Sequence, residues 1–305
     1  MGEANLKKGM YVMHPARPEW GPGKVCFVDG QNIHIYFRDE SDQMAKKFKT
    51  GTIQFLVAPS QSDPILDNLP PLKEKDGFFG LTRERLTVRQ AINLFLNTFP
   101  GGFNDPRYLG DEKVGERNYK LKSHANFVRL LGNGQLDDYL AHDKVKEMGN
   151  HAHSLIGEMN LVSLYEAMAF KRAMEDHDAA TRFFKEMARV LASDRIDRDV
   201  MEPYFRSVMD LPAEEGKARV ATWPIATIFL FLAQPDRHMF LKPGITKESA
   251  ERLGFELNYD PHPNWRTYES LLRMCAIYKE MLKELAPRDW IDVQSFFWVV
   301  RGERE

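Results

Sequence analysis

The sequence predicts an α+β protein, a small N-terminal β-barrel followed by a large all-α domain, and three observations predict it. Residues 1–58 are cut into short runs of β-branched and aromatic residues. Residues 58–77 hold four prolines and little periodicity. From Leu86 onward, apolar residues recur at helical spacing. The expected division is a barrel over 1–58, a linker over 59–80 and an all-α domain over 81–305.

The β elements come first. MYVMH (10–14), KVCFVDG (24–30), NIHIYF (32–37), AKKFKT (45–50) and TIQFLV (52–57) each read as a strand bounded by Gly, Pro, Asn or Asp. Asp29-Gly30 supplies a hairpin turn, and Ile33, Ile35 and Phe37 share one strand face. Five short strands in about fifty residues suggest a small SH3-like barrel. Between the first two strands lies HPARPEWGPGKV (14–25). Pro15 and Pro18 fix φ and remove donors, while Gly21 and Gly23 permit turns and close approaches. Trp20 either caps the barrel core or stands exposed as a partner anchor.

The helices follow. TVRQAINLFLNTF opens with Thr87 and carries Gln90 three residues later, a capping-box spacing, and Pro100 to Phe103 stop it. Further helices are expected over 112–131, 136–148, 154–175, 179–191, 199–209, 218–233, 247–253, 264–285 and 291–301. Leu161, Leu164, Tyr165, Met168 and Met174 fall near one face at helical spacing. Asp289 signals the start of a closing helix packed through Trp290, Val293, Phe296, Phe297 and Val300.

Composition narrows the function classes. Apolar residues are 43% and charged residues 28% of 305, enough for a real core. A net charge of −2 leaves nucleic-acid contact to a local patch. Cys26 and Cys275 make no disulfide framework, so a reducing cytoplasm is expected. The N-terminus has no apolar signal core, and the longest apolar run, Trp223–Ala233, is about half a membrane span, so no membrane is expected.

Chemistry candidates are sparse. No phosphate loop, serine elbow or paired-carboxylate nuclease pattern is present, and no cofactor is expected. His151 and His153 lie two apart with His142, Glu147 and Glu158 nearby, but i and i+2 point apart on a helix, so no metal is expected. An aromatic cage from Tyr11, Trp20, Tyr36 or Phe37 would hold a methylated cation, or the same rings form core. Trp20, Tyr11 and Tyr36 are therefore the partner-binding candidates. Lys24, Arg38, Lys46, Lys47 and Lys49 form a basic edge that either meets phosphates or protects an edge strand. Arg117, Lys120 and His124 share a helix face, with Lys122 off it. That face either reads phosphate or is solvated through a Glu116–Lys120 pair.

Two resemblances add to this. The run from Leu6 to Phe37 resembles a small bacterial family of unknown function, itself similar to the Tudor/SH3-like tail of UvrD-type repair helicases. Gly9, Val12, His14, Pro15, Trp20, Gly21, Gly23, Val25, Ile33, Ile35 and Phe37 carry it, and it covers 6–57. It implies a Tudor/SH3-like barrel that binds RNA polymerase, DNA or another DNA-processing protein, hence a non-catalytic adaptor. Residues 211–255 distantly resemble the core of helix-hairpin-helix DNA glycosylases, through Leu211-Pro212, Gly216-Lys217, Pro235-Asp236-Arg237 and Arg252-Leu253-Gly254. The expected aspartate is replaced by Leu241-Lys242-Pro243. That resemblance implies a diverged glycosylase or lyase with Lys242 facing a cleft. A protein-only interaction subunit is the third expectation.

Overall fold

A computed structural model describes residues 6–40, 42, 44–110, 115–157 and 159–302 of the chain. It divides into two compact units, residues 1–95 with 248–256 and residues 96–247 with 257–305.

In the first unit all five expected strands form: β1 (Tyr11–Met13), β2 (Pro22–Val28), β3 (Asn32–Phe37), β4 (Lys46–Lys49) and β5 (Leu56–Val57). They make one antiparallel sheet in the order β4-β3-β2-β1-β5. The β2–β3 hairpin turns as its residues dictate. Asp29 Oδ1 accepts from the Gln31 and Asn32 amides at 2.9 and 2.5 Å, and Gly30 takes φ +84°. A register shift between Val25 and Phe27 bends β2. Gly23 sits where the strands crowd, since a Cβ there would lie 2.6 Å from Ile35 and Phe37.

The expected closed barrel is corrected to an open sheet. β4 and β5 are its two edges and are not paired with each other among the described residues. β5 pairs over only two residues, Val12 with Val57 and Met13 with Leu56, which is too short to carry the sheet round to β4.

Strand alternation gives the sheet two apolar faces. One face gathers Val12, Val25, Ile33, Ile35, Phe37 and Phe55, with Trp20 and Phe48 packed against them. The other gathers Tyr11, Tyr36, Ala45, Ala58 and Leu66, with Leu69, Leu72, Phe79 and Leu81. The 59–80 segment is therefore not a free linker, because its apolar side chains cover the second face. It includes a hairpin of β6 (Lys73–Lys75) and β7 (Phe78–Gly80), and the Ala45 amide donates to Phe79 O at 2.7 Å. Residues 248–256 also belong to this unit. The Leu86 amide donates to Arg252 O at 2.6 Å, and the Glu256 amide to Asn68 O at 2.8 Å.

Thr87 and Gln90 form the expected capping box at the start of α1 (Val88–Thr98), with reciprocal bonds of 2.8 and 3.2 Å. The remaining chain is mostly helical: α2 (Pro106–Leu109), α3 (Asn118–Leu130), α4 (Gln135–Ala141), α5 (Val145–Gly157), α6 (Leu164–Ala173), α7 (His177–Ala192), α8 (Arg198–Met209), α9 (Trp223–Ala233), α10 (Pro243–Leu253), α11 (Trp265–Met281) and α12 (Trp290–Val300). The start expected at 112 lies outside the described residues. α9 is buried all round, as its unbroken apolar run requires. Trp223 Nε1 ties it to Asp260 O at 2.7 Å.

Two helix expectations are corrected. The helix read over 136–148 breaks at Asp143, which takes φ +55°. The helix read over 154–175 starts only at Leu164, where Ser163 and Glu166 make a capping box. On α6, Leu164, Tyr165 and Met168 are exposed, while Ala167, Phe170 and Ala173 face inward. No described helix is long and apolar enough to cross a membrane.

Candidate functional site

The site is built from the two edges of the N-terminal sheet, which differ in chemistry. A sheet edge presents unpaired backbone groups, and proteins normally blunt it with charge, proline or a cover. β4 follows that rule with Lys46, Lys47 and Lys49. β5 carries no charge: its sequence is the two residues Leu56-Val57, flanked by Phe55 and Ala58, with Pro59 next. Leu56 is 57% exposed and Val57 53% exposed. Consecutive strand residues point to opposite faces, so neither face of this edge is covered here. Among the described residues β5 pairs only on its inner side, with β1, and Ala58 N donates to Tyr11 O at 2.9 Å. Beyond it the Gln61 side-chain amide replaces a strand partner. Its Oε1 accepts from Tyr11 N at 3.0 Å, and its Nε2 donates to Tyr11 O at 3.1 Å.

The opening segment forms a collar beside this edge. Pro18–Trp20 make a single 3-10 turn, closed by Gly21 N donating to Pro18 O at 3.1 Å. Gly21 takes φ +67°, and a Cβ there would collide with Asp39 Oδ2 at 2.2 Å. The turn lays Trp20, half-buried, over the first apolar face. Its ring centroid is 5.1 Å from Phe37 and 5.0 Å from His14. His14 also meets Phe48 and Phe55 at 5.8 and 5.6 Å. Burial, then the charge of Arg17, holds His14 below its ordinary pKa. Trp20 is thus a plug whose outer surface carries Lys46 at 5.4 Å and Arg17 at 5.9 Å. Trp20→Ala is expected to lower the stability of the sheet by about 2–3 kcal/mol, less than for a fully buried tryptophan. Faster amide exchange throughout β2 and β3 is the readout.

The aromatic cage expected from Tyr11, Trp20, Tyr36 or Phe37 is corrected. Tyr11 and Tyr36 lie on the opposite face from Trp20 and Phe37, and both are buried. Tyr11 Oη donates to Asp67, and burial followed by that bond pushes its pKa up to about 12. Tyr36 Oη accepts from Arg85 Nε at 2.9 Å. Neither presents a ring to a partner.

The expected basic edge is largely neutralised. Lys24 pairs with Asp67 at 2.8 Å, and Arg38 with Asp39 and Asp63 at 2.8 and 3.0 Å. Lys46 pairs with Asp42 and, at 3.7 Å, with Glu40. Lys47 and Lys49 are exposed and form no ion pair among the described residues.

In the second unit, Arg117, Lys120 and His124 do not form the expected phosphate-reading face. Arg117 is buried between Asp289 at 2.7 Å and Asp292 at 2.8 Å. Lys120 is wholly buried, with Nζ donating to Glu116 at 3.0 Å, Gln294 at 2.6 Å and Ser295 at 3.0 Å. Burial pushes its ammonium down in pKa, against the pull of Glu116. His124 Nδ1 contacts Leu232 O at 2.6 Å. A charge cluster that spends all its donors inside the fold is architecture. The histidines also find local partners: His151 meets Tyr139 Oη at 3.1 Å and His142 pairs with Asp138 at 3.2 Å. Glu158 lies outside the described residues. Among the described residues no group of three or more His, Cys, Asp or Glu could hold a metal ion.

The glycosylase-like order of residues 211–255 does not assemble as one motif. Arg252-Leu253-Gly254 belongs to the first unit and the residues up to 247 to the second. Residues 212–222 form an irregular connection rather than a helical hairpin. Lys242 Nζ donates to Asn160 O at 3.3 Å.

Fold and site together define an open antiparallel β-module with one charged and one apolar edge, carried on a mostly helical chain. Residues 6–46 match the model of a family described as "Protein of unknown function (DUF3553)". The match spans β1 to the start of β4 and includes the whole collar. No curated protein and no solved structure matches the chain.

Proposed function

We propose that the chain is a non-catalytic adaptor that takes hold of a protein partner by strand addition at β5. The observation that carries this reading is the uncharged, unpaired β5 edge with Leu56 and Val57 exposed on opposite faces. Main-chain bonding gives such a complex its affinity, and pockets for alternate side chains give it specificity. His14, half-buried against Phe55 at 5.6 Å, follows Met13, the strand partner of Leu56, and supplies an apolar contact beside that edge. A Tudor/SH3-like ancestry of this module, with polymerase or a DNA-processing protein as partner, fits the same surface.

A second reading, direct nucleic-acid contact, rests on Lys47 and Lys49, the two cations of the expected basic edge outside ion pairs among the described residues. The two readings separate cleanly. With the full chain as bait, Leu56→Asp and Val57→Asp should abolish capture of a partner that wild type retains, leaving the circular dichroism unchanged. Lys47→Glu with Lys49→Glu should leave capture intact. A salt-dependent mobility shift of duplex DNA, lost in the lysine variant and kept in the edge variant, would overturn strand addition in favour of nucleic acid.

A further inference from the structure

The geometry points to a small-molecule site in the helical unit, for an organic anion with a compact apolar body. A cavity of about 380 Å³ lies between the first turns of α5 and the turn joining α6 to α7. That is within the range of ordinary ligand pockets. Val145, Gly149 and Met174 form its apolar floor. At Gly149 a Cβ would stand 3.0 Å from Met174 Cβ, so the floor is closely packed there.

The polar lining is cationic on balance. Lys146 and Lys171 line it from different helices, and neither forms an ion pair among the described residues. Asn150 adds an amide donor. His177 stands at the rim, its imidazolium favoured by a hydrogen bond from Nε2 to Asp143 at 2.8 Å. Glu175 is the one acid of the lining, and it suits a ligand hydroxyl or amine. Two exposed lysines lining one cavity over an apolar floor match a carboxylate or phosphate group attached to a ring or short chain. Bare inorganic phosphate lacks the body that fills the floor.

Isothermal titration of the full chain at low ionic strength tests this with phenyl phosphate, benzoate and inorganic phosphate as probes. Phenyl phosphate or benzoate is expected to bind saturably at one site per chain, and the stronger of the two identifies the anionic group. Inorganic phosphate is expected to bind at least tenfold more weakly. Lys146→Gln with Lys171→Gln should weaken the preferred probe at least tenfold, with an unchanged thermal midpoint showing an intact fold. Absence of saturable binding for both organic probes overturns the assignment. So does binding that survives the double substitution.

Discussion

Asp292→Ala is expected to cost the helical unit about 3–5 kcal/mol, because it removes a buried carboxylate from the buried Arg117 guanidinium and Tyr108 hydroxyl. The carboxylate is fully buried and gathers three elements at once. It accepts from Tyr108 Oη at 2.5 Å and from Arg117 Nη1 at 2.8 Å. The amide and side chain of Arg288 add bonds of 2.8 and 2.9 Å. Burial alone would raise the Asp292 carboxyl. The bonds from Arg288 and Tyr108 and the charge of Arg117 overcome it and hold the group below the usual carboxylate range. Denaturant unfolding followed by helical ellipticity is the measurement. A loss under about 1 kcal/mol, the size of an exposed pair, would contradict the structural role assigned to this cluster.

Acid is expected to weaken the same unit well before its carboxylates titrate, through His238. The ring is buried, its Nδ1 contacts Tyr268 Oη at 3.3 Å, and its Nε2 has no hydrogen-bond partner among the described residues. Burial, then the charge of Arg237, brings its pKa down to about 3. The unfolded chain binds that proton near pH 6.5 and the folded chain only near 3. The stabilisation is therefore complete above pH 6.5 and falls by about 1.4 kcal/mol per pH unit below it, until the folded pKa is reached. Between pH 6.5 and 4.5 that amounts to roughly 2 kcal/mol. His238→Phe keeps an aromatic ring beside Tyr268 and should flatten this slope. An equally steep decline in the variant would assign the acid sensitivity elsewhere.

The strands were legible because turn residues and alternation specify them locally. Asp29-Gly30 closes its hairpin and Ile33, Ile35 and Phe37 share a face as expected. Closure was not legible, because it depends on how far β5 pairs with β1, and that run is only two residues. Prolines at 59, 64, 70 and 71 suit a free linker and a covering loop equally. The missed signal was apolar content: Ile65, Leu66, Leu69, Leu72 and Phe79 are too many for a solvated connector. Arg117 and Lys120 read as a surface face because their partners Asp289, Asp292, Gln294 and Ser295 lie far along the chain. The expected face of Leu161, Leu164, Tyr165, Met168 and Met174 splits, since Leu161 precedes α6 and is buried with Met174 while Leu164, Tyr165 and Met168 are exposed, because spacing alone does not say which face turns inward. The β5 edge escaped notice for a similar reason. Its apolar pair reads as core until the sheet order leaves it outermost.

A photo-crosslinking amino acid placed at Val57 tests strand addition at β5. The full chain carrying it at Val57, irradiated in the cells that produce it, should yield one discrete protein adduct. The same group at Lys47, on the charged edge, should yield none. A nucleic-acid adduct at Lys47 with none at Val57 would contradict strand addition at β5.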